Sequence, residues 1–229
     1  MSSSISRVVP TSRMLQRIYR LLYGAYGPMN WWPADSPFEV IVGAFLTQNT
    51  AWKNVEKAIS NLKKADLMDP EKIDKISEKK LASLIKPSGY YNQKAKKIKS
   101  FVKHFGEKYD YSIEKMKQKP LPELRKELLE MWGVGPETAD SILLYALEKP
   151  IFVVDAYTMR TFRRLGFLTE EDDYESTQKM FMKHLKPDTT LYNEYHALIV
   201  ALGNRLCRAK QPLCKECPLH GHVECVPSR

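Results

Sequence analysis

The sequence predicts an all-α fold, and three observations carry that reading. Apolar residues recur at helical spacing along most of the chain, strand-like runs are almost absent, and proline and glycine fall between the periodic segments. In "NTAWKNVEKAISNLKKA" Trp52, Val55, Ile59 and Leu62 share one face with lysines opposite, and Asn49 or Thr50 is placed to cap the helix. In "YYNQKAKKIKSFVKHFG" Asn92 is the expected cap, Ala95, Ile98, Val102 and Phe105 form the apolar stripe, and Gly106 is the expected stop. "LMDPEK" and "IKPSGYYN" read as proline-containing turns, and "RKELLEM" and "PETADSILLYALEK" as two helices joined through "WGVG". Only "PIFVV" looks extended, short enough to be a buried link into the helix that follows Asp155. There is no fixed-period repeat and no low-complexity linker.

With 229 residues, 43% of them hydrophobic, the chain can bury a core for one large domain or two interlocked small ones. Its 36 lysines and arginines against 27 acids give a net charge of +9, which favours a polyanionic partner over an acidic small molecule. "MSSSISRVVPTSR" holds no long apolar run and "VIVGAFL" is far too short to span a bilayer, so no membrane is expected and the reading is a cytoplasmic protein.

All the cysteines, Cys207, Cys214, Cys217 and Cys225, lie at the C-terminal end with six, two and seven residues between them. They are not a scattered disulfide framework, and C-x2-C is the usual bite of two thiolates on one metal centre. The spacing alone fits tetrahedral zinc and an iron–sulfur cluster equally.

In "MWGVGPETA" Gly133 and Gly135 permit positive φ and close approach of a bulky ligand to the main chain, and Pro136 suits a first helical turn. Unpaired N–H groups at such a turn can hold an anion, for which a DNA phosphate is the candidate in a basic protein. The same residues also suit an ordinary helix-to-helix turn.

"LLEMWGVGPETADSILLYA" resembles the helix-hairpin-helix of the endonuclease III superfamily of DNA glycosylases, "VVDAYTMRTFRRLG" its aspartate-bearing segment, and the cysteine tail its [4Fe-4S] loop. The resemblance implies a [4Fe-4S] cluster on Cys207, Cys214, Cys217 and Cys225, and two helical domains flanking a DNA-binding cleft. It also implies a monomer acting on double-stranded DNA, with a damaged base rotated out of the duplex. The six-helix domain would span 34–148, and 10–33 with 149–229 would form the discontinuous cluster domain. The last cysteine interval is longer than the family's usual one and contains His220 and His222, which keep a mixed-ligand zinc site as the alternative. "MNWWPADSPFEVIVGAFLTQNTAWKNVEKAI" and "IKPSGYYNQKAKKI" are further similar to the branch with 3-methyladenine DNA glycosylase III and archaeal helix-hairpin-helix uracil glycosylases. The former lacks the cysteine cluster, so uracil-active relatives stay in view.

Residue by residue, the resemblance implies a chemistry. Bifunctional members carry a lysine two residues after Gly-Val-Gly, where this chain has Glu137, and a carboxylate forms no Schiff base. A monofunctional glycosylase is therefore expected, acting on an alkylated purine such as 3-methyladenine or on uracil. The alternatives are a bifunctional glycosylase/lyase using another lysine and a non-catalytic cluster-bearing DNA-binding protein. Asp155 matches the family's catalytic aspartate, although aspartate there is also an ordinary N-cap. Trp31, Trp32 and Trp52 are the expected base pocket, with core packing as the alternative, and Gln48 sits where members insert a side chain into the gap left by the base. Gly133, Gly135, Arg205, Arg208 and Lys210 are the expected phosphate contacts. Lys94, Lys96, Lys97 and Lys99 read as a solvated face, of which only the helix start near Asn92 has a claim to the DNA backbone.

Overall fold

The computed structural model describes residues 9–225, and among these there is no strand. Twelve α-helices follow one another: α1 Ser12–Tyr26, α2 Pro37–Leu46, α3 Trp52–Lys64, α4 Pro70–Lys75, α5 Glu78–Leu84, α6 Tyr91–Tyr109, α7 Ile113–Gln118, α8 Leu121–Glu130, α9 Pro136–Ser141, α10 Ala156–Arg164, α11 Tyr174–His184 and α12 Thr189–Arg205. The described residues divide into two compact units, 32–149 and the discontinuous pair 9–31 with 150–225.

In the unit Trp32–Lys149 the centre is α2, apolar on every side apart from Glu39, and buried from Phe38 to Leu46. Such a helix needs neighbours all round, and α3, α6 and α9 supply them. Glu39 is tolerated there because Lys63 meets it at 2.7 Å and the Asp35 amide donates to it at 3.1 Å. Ser36 caps α2 through the Glu39 amide, and Pro37 occupies the first turn.

Three expected helix ends are corrected. Helix α3 starts after Ala51, not on an Asn49 or Thr50 cap. Asn49 is left-handed at φ 52, and the Thr50 hydroxyl is drawn away to the carbonyls of Gln48 and Ser88. Helix α6 starts at Tyr91 after a left-handed Tyr90, which puts Asn92 inside the first turn. Gly106 does not end α6, which runs on to Tyr109; a Cβ there would come within 2.4 Å of the Tyr111 ring, so the glycine is needed for close packing.

The lysine face of α6 is also corrected. Lys94 is 2% exposed, and its ammonium donates to Leu46 O at 2.8 Å, Ser88 O at 2.7 Å and Thr50 Oγ1 at 2.6 Å. It thereby closes the C-terminus of α2, whose last carbonyls lack helical partners. Lys99 does the same for the end of α4, donating to the carbonyls of Ile73, Asp74 and Ile76.

The unit formed by residues 9–31 and 150–225 packs α1, α10, α11 and α12 around stacked Phe152 and Phe181, whose centroids are 4.0 Å apart, with Phe162, Tyr192 and Tyr195 edge-on. Tyr195 donates to Leu15 O at 2.8 Å and staples α12 to α1. Residues 151–154 run extended and buried, as the sequence suggests, and Gln178 satisfies the Phe152 carbonyl at 2.6 Å.

Glu127 of α8 is a buried carboxylate bonded by His104 and Lys108 at 2.6 Å, Tyr109 at 2.8 Å and Lys119. Burial alone would raise its pKa; Lys108, Lys119, His104 and Tyr109 more than offset that and hold it at about 2, against 4.5 for a free side chain. A carboxyl with a depressed folded pKa stabilises the fold above the unfolded value, and that contribution is lost as pH falls through the folded one. Thermal unfolding should therefore show stability draining between pH 4.5 and about 2, by roughly 2–3 kcal/mol from this group. Glu127→Gln should lose most of that pH dependence, and an unchanged acid profile would contradict the assignment.

Candidate functional site

In the unit Trp32–Lys149, helices α8 and α9 form a hairpin through residues 131–135. Gly133 sits at φ +80, and Gly135 is extended at φ −91 with nothing within 4 Å of where a Cβ would stand. The first glycine is needed for its left-handed backbone, while the second leaves the main chain open to approach. Pro136 begins α9, which continues as a π-helical turn over Ile142–Ala146. A buried bidentate pair fixes the two arms. Arg125 Nε lies 2.8 Å from Asp140 Oδ1 and its Nη2 3.1 Å from Oδ2, with Asp140 fully buried.

Gln48 belongs to this hairpin. Its amide donates to Gly133 O at 3.3 Å and Thr138 Oγ1 at 2.9 Å, and Lys97 donates to its Oε1 at 2.5 Å. Trp132, in the turn itself, is 50% exposed, with the Lys96 ammonium 4.7 Å from its ring centre. Glu137 is exposed in the first turn of α9.

Trp32 and Trp52 of the expected base pocket meet edge-on at 5.4 Å, and Tyr145 joins Trp32 at 5.3 Å. Gly43 makes room for Trp32, since a Cβ there would lie 3.0 Å from its ring. All three aromatics are half-buried. Tyr145 was not singled out by the sequence; its hydroxyl inside the apolar run "SILLYALE" was the available signal. Trp31 lies in the other unit, half-buried.

In the unit of residues 9–31 and 150–225, Asp155 is the N-cap of α10. Its Oδ1 accepts from the Thr158 amide at 2.7 Å and the Thr158 hydroxyl at 2.8 Å. Its Oδ2 lies 3.7 Å from Nε2 of His196, a buried residue of α12 that sequence reasoning missed. Burial lowers the pKa of that imidazole, against an opposing pull from Asp155, so a neutral ring backs the carboxylate.

The C-terminal part of α10 grips the cysteine loop. Arg160 donates to Cys207 O and Gly203 O, both at 2.8 Å; Arg164 donates to Arg208 O at 2.7 Å, Ala209 O at 3.1 Å and Cys207 Sγ at 3.3 Å. Cys207, Cys214, Cys217 and Cys225 all line one cavity of about 410 Å³. Burial pushes the Cys217 thiol up, as do the neighbouring Cys207 and Cys214 sulfurs, against the Leu219 amide. Soft thiols converging on one space, with N–H donors behind them, suit a metal–thiolate centre. Among the described residues no group of three or more His, Cys, Asp or Glu side chains is gathered as a single metal ion requires, and His220 and His222 are exposed. Arg205, Arg208 and Lys210 are all exposed beside this loop, Arg205 over the Tyr26 ring at 5.4 Å.

Residues 42–187 match the profile of the HhH-GPD superfamily base excision DNA repair protein. A chain of Methanocaldococcus jannaschii, provisionally assigned as a DNA repair glycosylase, is 51% identical over 90% of this chain and 94% of its own. The structure of H. pylori 3-methyladenine DNA glycosylase bound to 1,N6-ethenoadenine is 33% identical, with TM-score 0.74 over 86% of this chain and 98% of that one. A non-covalent endonuclease III–DNA complex shares the fold at 23% identity, with TM-score 0.78 over 95% of this chain and 96% of that one.

The Arg125–Asp140 pair generates its own test. Arg125→Ala strips a fully buried carboxylate of its guanidinium and should cost about 3–5 kcal/mol in denaturant unfolding. Arg125→Met combined with Asp140→Leu should recover much of that loss, because no buried charge is stranded. Equal losses in the single and double variants would show that the pair is not what holds the hairpin.

Proposed function

We propose that this chain, which belongs to the HhH-GPD superfamily of base excision DNA repair proteins and is a DNA repair glycosylase acting on DNA, is monofunctional: it hydrolyses the base–sugar bond and leaves the abasic site uncut. The observation that carries this reading is Glu137, a carboxylate at the hairpin position where a lyase would present its amine. Asp155 supplies the chemistry. Held by the Thr158 amide and hydroxyl at the positive end of α10, it offers Oδ2 to the cation that develops on the sugar and to the attacking water.

The substrate we assign is an alkylated purine such as 3-methyladenine. The half-buried corner of Trp32, Trp52 and Tyr145 favours an electron-poor ring through stacking and cation–π attraction. The relationship to the H. pylori 3-methyladenine glycosylase supports the same class. Uracil is the second reading, favoured by the retained cysteines. Phosphates would meet the hairpin at Gly133 and Gly135 and the exposed Arg205, Arg208 and Lys210. Gln48 would have to leave Gly133 O and Thr138 to enter a duplex.

For the cysteine cavity we assign a [4Fe-4S] cluster on Cys207, Cys214, Cys217 and Cys225. Four thiols lining one cavity of about 410 Å³ suit a polynuclear cage held by four cysteines. When bound, the cluster supplies four iron–thiolate bonds that tie the cysteine loop into a rigid base. Arg160 and Arg164 then link that base to α10.

Asp155→Asn keeps the shape of the cap and removes the charge. Single-turnover base release should fall about 100- to 1,000-fold while DNA affinity survives, since the lost group acts on the transition state. Full activity would reduce Asp155 to a helix cap. Borohydride should trap no wild-type enzyme–DNA adduct; efficient trapping would reveal another amine nucleophile and end the monofunctional reading.

A further inference from the structure

We infer that Thr161 donates a hydrogen bond to a sulfur of the centre in the cysteine cavity and thereby raises its reduction potential. The inference rests on the [4Fe-4S] reading above. Thr161 projects from α10 into the wall of the cavity lined by all four cysteines, and it is only 2% exposed. Its Oγ1 is buried with no hydrogen-bond partner in the protein. That is unusual on a helix, where a threonine hydroxyl ordinarily turns back to a carbonyl one turn earlier.

The neighbours sharpen the contrast. Thr158 spends its hydroxyl on Asp155, Arg160 donates to the carbonyls of Cys207 and Gly203, and Arg164 donates to two carbonyls of the cysteine loop and to Cys207 Sγ. Thr161 leaves its hydroxyl unused by the protein. Buried polar groups are almost always satisfied, so its acceptor belongs to whatever fills the cavity. Between thiolate ligands, that acceptor is an anionic sulfur, either a cysteine Sγ or an inorganic sulfide. Thr161 is thus a tuning residue that leaves the ligand set unchanged. A donor on sulfur stabilises the more negative, reduced state more than the oxidised one, which moves the potential upward.

The test compares the cluster-loaded wild type with Thr161→Val, which keeps the branched shape and removes the hydroxyl, and Thr161→Ser, which keeps the hydroxyl. Iron and sulfide contents are measured first, then the potential by protein-film voltammetry and the Fe–S stretching bands by resonance Raman in H2O and D2O. The expected result is equal loading in all three proteins. Thr161→Val alone should shift to a more negative potential and show smaller deuterium-sensitive band shifts, those from the Arg164 bond to Cys207 Sγ remaining, with Thr161→Ser tracking the wild type. A fully loaded Thr161→Val with wild-type potential and wild-type deuterium shifts overturns the inference while leaving the cluster in place. A wild type that carries stoichiometric zinc and no sulfide overturns the cluster reading itself, and this inference with it.

Discussion

Helix α10 presents Asp155 at its N-cap and is anchored along its C-terminal half, and the candidate chemistry depends on that restraint. At its N-terminus one oxygen of Asp155 is committed to the Thr158 amide and hydroxyl, which restrains the carboxylate, and the other lies 3.7 Å from His196 Nε2. Further along the helix Arg160 and Arg164 reach back to the carbonyls that lead into the cysteine loop. An electrostatic group stabilises a developing charge only when it need not reorganise, so a capping carboxylate on an anchored helix is well suited to the task. The buried imidazole of His196 behind it contributes packing without adding a positive charge that would compete for Oδ2.

The other unit uses the same device with different residues. Lys94 closes the end of α2, Lys99 the end of α4, Glu127 gathers four donors, and Arg125 grips Asp140 across the hairpin. Each is a buried or half-buried charge that would be costly alone and is tolerable because its hydrogen-bonding capacity is filled. Short helices gain definition from these polar staples. The positive charge of the chain is thus partly structural, and only Lys96, Arg205, Arg208 and Lys210 among the lysines and arginines weighed as DNA contacts remain exposed.

Much of this was legible in the sequence because it is local. Helical periodicity, Pro136 at a first turn, Asp155 before α10 and the buried link of residues 151–154 are all encoded within a few residues of where they act. The failures share a cause too. Thr50 gives up its cap to Ser88 and Lys94, and Gly106 makes way for Tyr111, because contacts distant in sequence outbid local preference. Lys94 read as a solvent-facing lysine because nothing in the α6 pattern reveals three acceptors brought from elsewhere. His196, Tyr145 and Asp140 carried a fainter signal, a polar group inside an apolar helical run that must find a partner, but pattern alone names no partner.

The central claim is base removal from DNA without strand cleavage, directed at an electron-poor alkylated purine. Its most direct measurement is a panel of otherwise identical duplexes carrying 3-methyladenine, uracil, mismatched thymine or no lesion, incubated with the enzyme and resolved before and after hot alkali. The account predicts intact strands before alkali and cleavage after it, fastest on the alkylated adenine. Strand scission before alkali, or no base release from any lesion, would contradict it.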